Sequence, residues 1–273
     1  MDKNKKLTAI SIGLASGFLG GLLGIGGAFI VIPVMISVLN IEQHKAHATS
    51  LAIMIFMAMA ASLIYVFSGQ TDVRMAIPLF IGSCFGVYAG ARIMHRIPSR
   101  VLSLLFGLFI VCISLKMIYP GNVMFQGKTL NPWLLQLFLI FLGIFTGLLS
   151  GILGVGGAIV SVPGLVFLTG VTQQMAQGIT LLNMIPTALI GVLTHWRQGY
   201  IEISVIPWIA PASVIASIYG AYWANIVSSA FLKSIFSIIL LLLGSRIVIL
   251  NAKKLRHFKG DVDKERKGKR TGS

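Results

Sequence analysis

The residues with the most chemical promise in this chain are glycines. Gly24, Gly26 and Gly27 form one cluster and Gly154, Gly156 and Gly157 a second, each followed six residues on by a proline, Pro33 or Pro163. Glycine weakens a helix interior by about 1 kcal/mol relative to alanine, so three together favour an interruption. An interrupted helix leaves backbone N–H groups unpaired and presents the positive end of its dipole, about half a charge. Two such ends meeting in an apolar setting would bind an anion without any buried lysine. Pro33 and Pro163 are expected to act as structural breaks beside the glycines. A nucleotide loop is a poor reading, because no Gly-Lys-Ser/Thr follows either cluster and no strand precedes it.

A dipole contributes only about 0.3–2 kcal/mol per terminus, too little to desolvate an anion, so side-chain donors are needed. Thr49 and Ser50 follow the first cluster, and Thr180 and Asn183 follow the second. Gln177 adds an amide at the place His47 holds in the first half. Hydroxyls and amides of this kind also serve simply to satisfy neighbouring backbone. With the glycines they make up the expected substrate site: Gly24, Gly26, Gly27, Thr49, Ser50, Gly154, Gly156, Gly157, Thr180 and Asn183.

Acids point away from cation transport. Outside the two ends only Glu42, Asp72 and Glu202 occur, all at expected loops. Asp72 and Glu202 recur at equivalent positions and, with His47, are candidates for proton coupling, set against the plainer reading of solvated loop carboxylates. Glu42, His44 and His47 could give a metal two or three contacts, but nothing completes a shell, so no metal is expected. No nucleophile, base and orienting acid cluster together, so neither an enzyme nor a cofactor is expected.

What must hold these residues is a membrane. The chain has 273 residues, 56% hydrophobic and 11% charged, less than half the usual charged share of soluble domains. Apolar segments run over 7–39, 46–67, 75–95, 101–119, 133–169, 175–196, 203–225 and 231–250. Cys84 and Cys112 read as buried free thiols. The net charge is +15, and much of it lies in the last 21 residues, where nine Lys and Arg oppose three acids. Beside a membrane such a tail serves orientation and contact with anionic lipid rather than nucleic acid, and its composition reads as disordered.

An internal duplication organises the segments. Residues 17–33 (GFLGGLLGIGGAFIVIP) align with 147–163 (GLLSGILGVGGAIVSVP), identical at 9 of 17 positions. The 130-residue offset persists without a gap through Ala46/Ala176, Leu51/Leu181, Gly69/Gly199 and Gly90/Gly220. The fold expected is therefore an all-α polytopic membrane protein with two homologous repeats of about 115 residues. Its parts are an amino-terminal segment (1–6), repeat 1 (7–119), a linker (120–132), repeat 2 (133–250) and the basic tail (251–273). A signal peptide at the amino end conflicts with that segment being half of the repeat.

Segments 7–39 and 133–169 are too long for one span. If each turns at its glycines and leaves on its own side, three true spans separate the halves and invert them. Lys3, Lys5, Lys6, Lys45, Arg92, Arg96, Arg100, Arg197 and the tail then share one side, as the positive-inside rule asks of the cytoplasm. Arg74, Lys128 and Lys233 fall on the opposite side. Each repeat is thus a Gly-broken, re-entrant helix plus three transmembrane helices, with both termini cytoplasmic.

The run Gly21-Leu22-Leu23-Gly24-Ile25-Gly26-Gly27-Ala28 through Pro33, followed by Ala46 and Thr49-Ser50-Leu51, resembles the signature of the TauE/SafE sulfite exporter family. The second copy, Gly151 to Gly157 through Pro163 with Ala176 and Thr180-Leu181, matches it again. Ala28 and Ala158 stand where members commonly carry a third glycine. The resemblance implies a permease of the prokaryotic inner membrane that moves sulfite or organosulfur anions by alternating access, driven by proton-motive force. An anion channel and a non-transporting sensor or assembly factor are the alternatives. Substrate, direction and oligomeric state are not legible.

Overall fold

The computed structural model describes residues 3–93, 99–118, 131–153 and 157–270. Among them are ten helices and no strands: α1 (Lys3–Leu23), α2 (Ala28–Ser37), α3 (Gln43–Phe67), α4 (Val73–Ile93), α5 (Ser99–Ile118), α6 (Pro132–Leu153), α7 (Ala158–Thr169), α8 (Gln173–Arg197), α9 (Ile206–Ile226) and α10 (Ser229–Arg270). Adding 130 to the first residue of α2, α3 or α5 gives the first residue of α7, α8 or α10. Among the described residues, six helices are long and apolar enough to cross a membrane: α1, α3, α4, α6, α8 and the Ser229–Ile249 part of α10.

Polarity is arranged for lipid. Phe85, Phe141 and Leu242 are each 66% exposed, whereas Ser16, Thr49, Thr146, Gln177, Thr180 and Ser213 are fully buried. Backbone polar groups are satisfied within helices, as a span in hydrocarbon requires. Apolar side chains are then free to face outward and small polar ones to pack inside.

Small residues bring particular helices together. A Cβ at Gly17 or Gly21 of α1 would overlap the carbonyl oxygens of Ser213 or Ser217 in α9. Gly143 and Gly147 of α6 meet Leu79 and Ser83 of α4 in the same way. Each half therefore lends its first helix to the other half's fourth. Contacts climb together along both pairs, 13/209, 17/213 and 21/217 in one and 82/140, 86/144 and 90/148 in the other, so both pairs are parallel. In contrast, α3 and α8 are antiparallel, since Gly178 meets Tyr65 while Gly191 meets Leu51. Two helices at equivalent places that run oppositely give the two halves opposite senses across the membrane.

The first helical pair is a hairpin. Lys5 at the start of α1 and Asn40 to Glu42 after α2 line one cavity with Lys45 and Glu202, so the chain returns to the face it left. Its interruption falls at the glycines. The expected breaks at Pro33 and Pro163 do not interrupt the chain, because α2 and α7 run through them. Each proline lies in the second turn and removes one backbone bond, a loss that packed membrane helices tolerate. A second correction concerns the tail: α10 continues to Arg270. Residues that follow an established helix extend it without a new nucleus, and Lys, Glu and Arg are good helix formers.

Candidate functional site

The first glycine turn rests on α8, which also lines a cavity beside Gly157. At the first, Gly24, Gly26 and Gly27 have φ of 68°, 81° and 62°, a left-handed run that side-chain-bearing residues adopt only with strain. Gly27 caps α2, and the first amides to close back are Ile30 and Val31, both onto the Gly27 carbonyl. A Cβ on Gly24 would stand 2.8 Å from Cβ of Gln177, and one on Gly26 would stand 2.6 Å from Sδ of Met54. The buried Tyr65 hydroxyl lies 3.0 Å from the Gly21 carbonyl and 2.9 Å from Oε1 of Gln177, tying α1, α3 and α8 together. Nε2 of Gln177 has no protein partner, nor does Oγ1 of Thr180, one turn along the same face of α8.

Beneath the second turn lies a cavity of about 10 Å³, enough for the centre of one water. Ser83 and Val87 from α4, Thr146, Gly147 and Ser150 from α6, Gly157 and Ala158 at the start of α7, and Asn183, Met184 and Thr187 from α8 line it. Asn183 is 4% exposed; its Nδ2 donates to Ser83 Oγ at 3.0 Å, and its Oδ1 has no partner. Gly157 caps α7, and the first amides to close onto its carbonyl are Val160 and Ser161. The amino end and dipole of a 12-residue helix therefore lie against a buried amide and four hydroxyls. Such a site can hold a small ligand that accepts hydrogen bonds from one wall. Gly154 and Gly156 lie outside the described residues.

Other expected site residues lie elsewhere. Thr49 Oγ1 accepts the Glu202 amide at 2.9 Å, and Ser50 donates to the His47 carbonyl at 2.8 Å. Both are within two turns of the α3 start, whereas Thr180 is two turns from the start of the antiparallel α8, toward the other end of the pair. Inverted halves put equivalent positions at opposite depths, so these four do not meet. Asp72 accepts the Arg74 amide at 2.8 Å and starts α4, while Glu202 accepts from the Ser204 hydroxyl at 2.7 Å on the other face. A Lys45–Glu202 contact of 4.0 Å crosses the rim of an open cavity of about 360 Å³ on the amino-terminal face.

Ser83, Thr146, Ser150, Thr187 and Tyr65 were not singled out by sequence reasoning. Isolated hydroxyls in apolar helices carry no positional signal, since most bond their own helix carbonyls. Only the pairing of α4 with α6 shows which of them converge.

The comparisons with known proteins agree with this architecture. The family model described as sulfite exporter TauE/SafE matches residues 1–117 and 139–272. A probable membrane transporter protein of Bacillus subtilis, YunE, is 23% identical over 261 residues, covering 88% of this chain and 96% of its own. Another from that organism, YdhB, is 26% identical over 80% of this chain and 90% of its own. A probable membrane transporter protein of Xylella fastidiosa (strain 9a5c) is 27% identical over 84% and 87%. No solved structure matches. A match over nearly the whole length, on a chain of apolar helices, makes this multi-pass membrane protein a member of the sulfite exporter TauE/SafE family of transporters.

Proposed function

We propose that the chain is a secondary transporter for small anions, sulfite or organosulfur compounds among them, driven by proton-motive force through alternating access. The single observation that supports this most is the polar cavity at the amino end of α7, buried at membrane depth in a chain whose outer surface is apolar. Broken helices in both halves of an inverted arrangement are the usual setting of a transporter's substrate site. Movement of one hairpin against α8 would open the cavity to one face at a time. We assign the cytoplasm to the face holding Lys3, Lys5, Lys6, Lys45, Arg92 and Arg197, in the inner membrane of a prokaryote. Anionic lipid headgroups would meet the basic end of α10 there.

The test is flux in proteoliposomes holding the purified protein, with sulfite, sulfoacetate, sulfate and chloride compared under an imposed pH gradient. Saturable, gradient-driven movement of a sulfur oxyanion is expected. Ohmic current without coupling would make the protein a channel, and no flux of any of the four would remove these anions as its substrates.

A further inference from the structure

The hydrogen bonds around Asn183 specify which protonation state of an anion the cavity takes. Ser83 spends its one proton on the Leu79 carbonyl at 2.8 Å, so it can only accept from Asn183. That fixes the amide: Nδ2 faces Ser83, and Oδ1 is the buried atom left without a partner. Thr146 likewise spends its proton on the Gly143 carbonyl at 3.0 Å, and Thr187 on the carbonyls of Asn183 and Met184 at 2.9 and 3.0 Å. Asn183, Ser83, Thr146 and Thr187 therefore offer lone pairs on this side. The opposite wall is the start of α7, where the first-turn N–H groups have no partner within the helix and the dipole is positive. A ligand that satisfies both walls must carry an anionic oxygen and an O–H group.

We propose that the cavity binds a small oxyanion in its singly protonated form, with the charge at the α7 amides and the O–H donated to Oδ1 of Asn183. The inference rests on the transporter reading and adds the carrier of the proton: the ligand takes it up from one solution and releases it to the other, and no protein side chain need titrate. A fully deprotonated anion would set lone pairs against Oδ1, at the cost of an unsatisfied buried acceptor. A cation would face the positive end of α7. Among the described residues, none that lines the cavity is an acid or a base, and Arg74 and Arg92 lie at the two ends of α4. Helices α6 and α7 contain no titratable residue, and α8 has only His195 and Arg197 in its last turn. Cys84 and Tyr88 of α4 do not line the cavity, and Tyr65 of α3 is engaged with Gln177 and Gly21. The space admits a single oxygen, so a larger ligand requires the helices around it to part.

The experiment is equilibrium binding to the purified full chain at pH 6 and pH 8, with sulfite, which loses its second proton near neutrality, and sulfate, which carries none there. Sulfite should bind several-fold more weakly at pH 8, and sulfate should not compete. Asn183→Leu should abolish that pH preference. Ser83→Ala frees the amide to rotate its NH₂ group into the cavity, so sulfate should now bind and the pH preference should shrink. Each variant is checked for a native elution profile. Equal sulfite binding at both pH values, sulfate binding equal to sulfite in the wild type, or no binding of either probe would overturn the proposal. An adventitious water at Oδ1, with no ligand role, would give the last of these. Saturable flux without pH-selective binding would sink this inference alone, and pH-selective binding without flux would sink the transport reading alone.

Discussion

The two glycine turns stand 130 residues apart on matching helices, yet what lies beneath them differs. Under the second, Asn183 and Thr187 of α8 border a polar cavity. The residues at the same places in α3 are Ile53 and Met57, each 1% exposed, and Met57 packs so near Gly20 that a Cβ there would stand 2.8 Å from its sulfur. Ser16 and Ser213 answer to Thr146 and Ser83, and both give their protons to their own helix carbonyls. The first turn is thus packed by apolar side chains on its α3 side and by Gln177 of α8, whereas the corresponding places beside the second carry Asn183 and Thr187. Buried polar groups without partners are costly, and the unpartnered Asn183 Oδ1 is the one that borders a cavity beside Gly157.

The scaffold itself is common to both halves, and the largest expected effects fall there. Gly17→Val and Gly147→Val each drive a side chain into a carbonyl of the neighbouring parallel helix, so each should lower stability by about 3 kcal/mol or more. Loss of the monodisperse protein after detergent extraction would register it, and a large difference between the two variants would break the equivalence.

At the turns the halves should part. Gly27 has φ of 62° and space only 2.5 Å from the Ser16 carbonyl oxygen, whereas Gly157 has φ of −67° and 3.0 Å to the Thr146 oxygen. Gly27→Ala should therefore cost about 2–3 kcal/mol and Gly157→Ala about 1 kcal/mol or less. Thermal unfolding in detergent would rank them. An exchange of residues at the cavity sharpens the contrast further. Ile53→Asn buries an amide among apolar neighbours and should cost about 1–3 kcal/mol with no gain in transport. Asn183→Ile fills the cavity and should leave stability unchanged or raised by up to about 1 kcal/mol. Smallest is Lys45→Ala: its contact with Glu202 is long and both side chains are at least a third exposed, so the change should stay below about 1 kcal/mol.

Much of this was legible in the sequence. The 130-residue offset, the helical class and the interruption at Gly24 to Gly27 follow from spacing and composition alone. The site was only half legible. Asn183 stood out as a buried amide, but Ser83 could not, because a serine bonded to its own helix reads the same wherever it faces. Thr49 and Ser50 were misplaced for a geometric reason: equal position in a repeat was taken as equal depth, which inversion forbids. Pro33 and Pro163 failed as breaks because a second-turn proline removes one bond and the packed helix absorbs it.

Substrate binding in the cavity beside Gly157 is open to direct test. The most direct test is sulfite flux into proteoliposomes under a pH gradient, wild type against Asn183→Ile, both confirmed folded by elution and thermal unfolding. Saturable flux in the wild type and background flux in an equally stable Asn183→Ile protein is the predicted result. Wild-type flux through Asn183→Ile would contradict it and place the substrate elsewhere in the molecule.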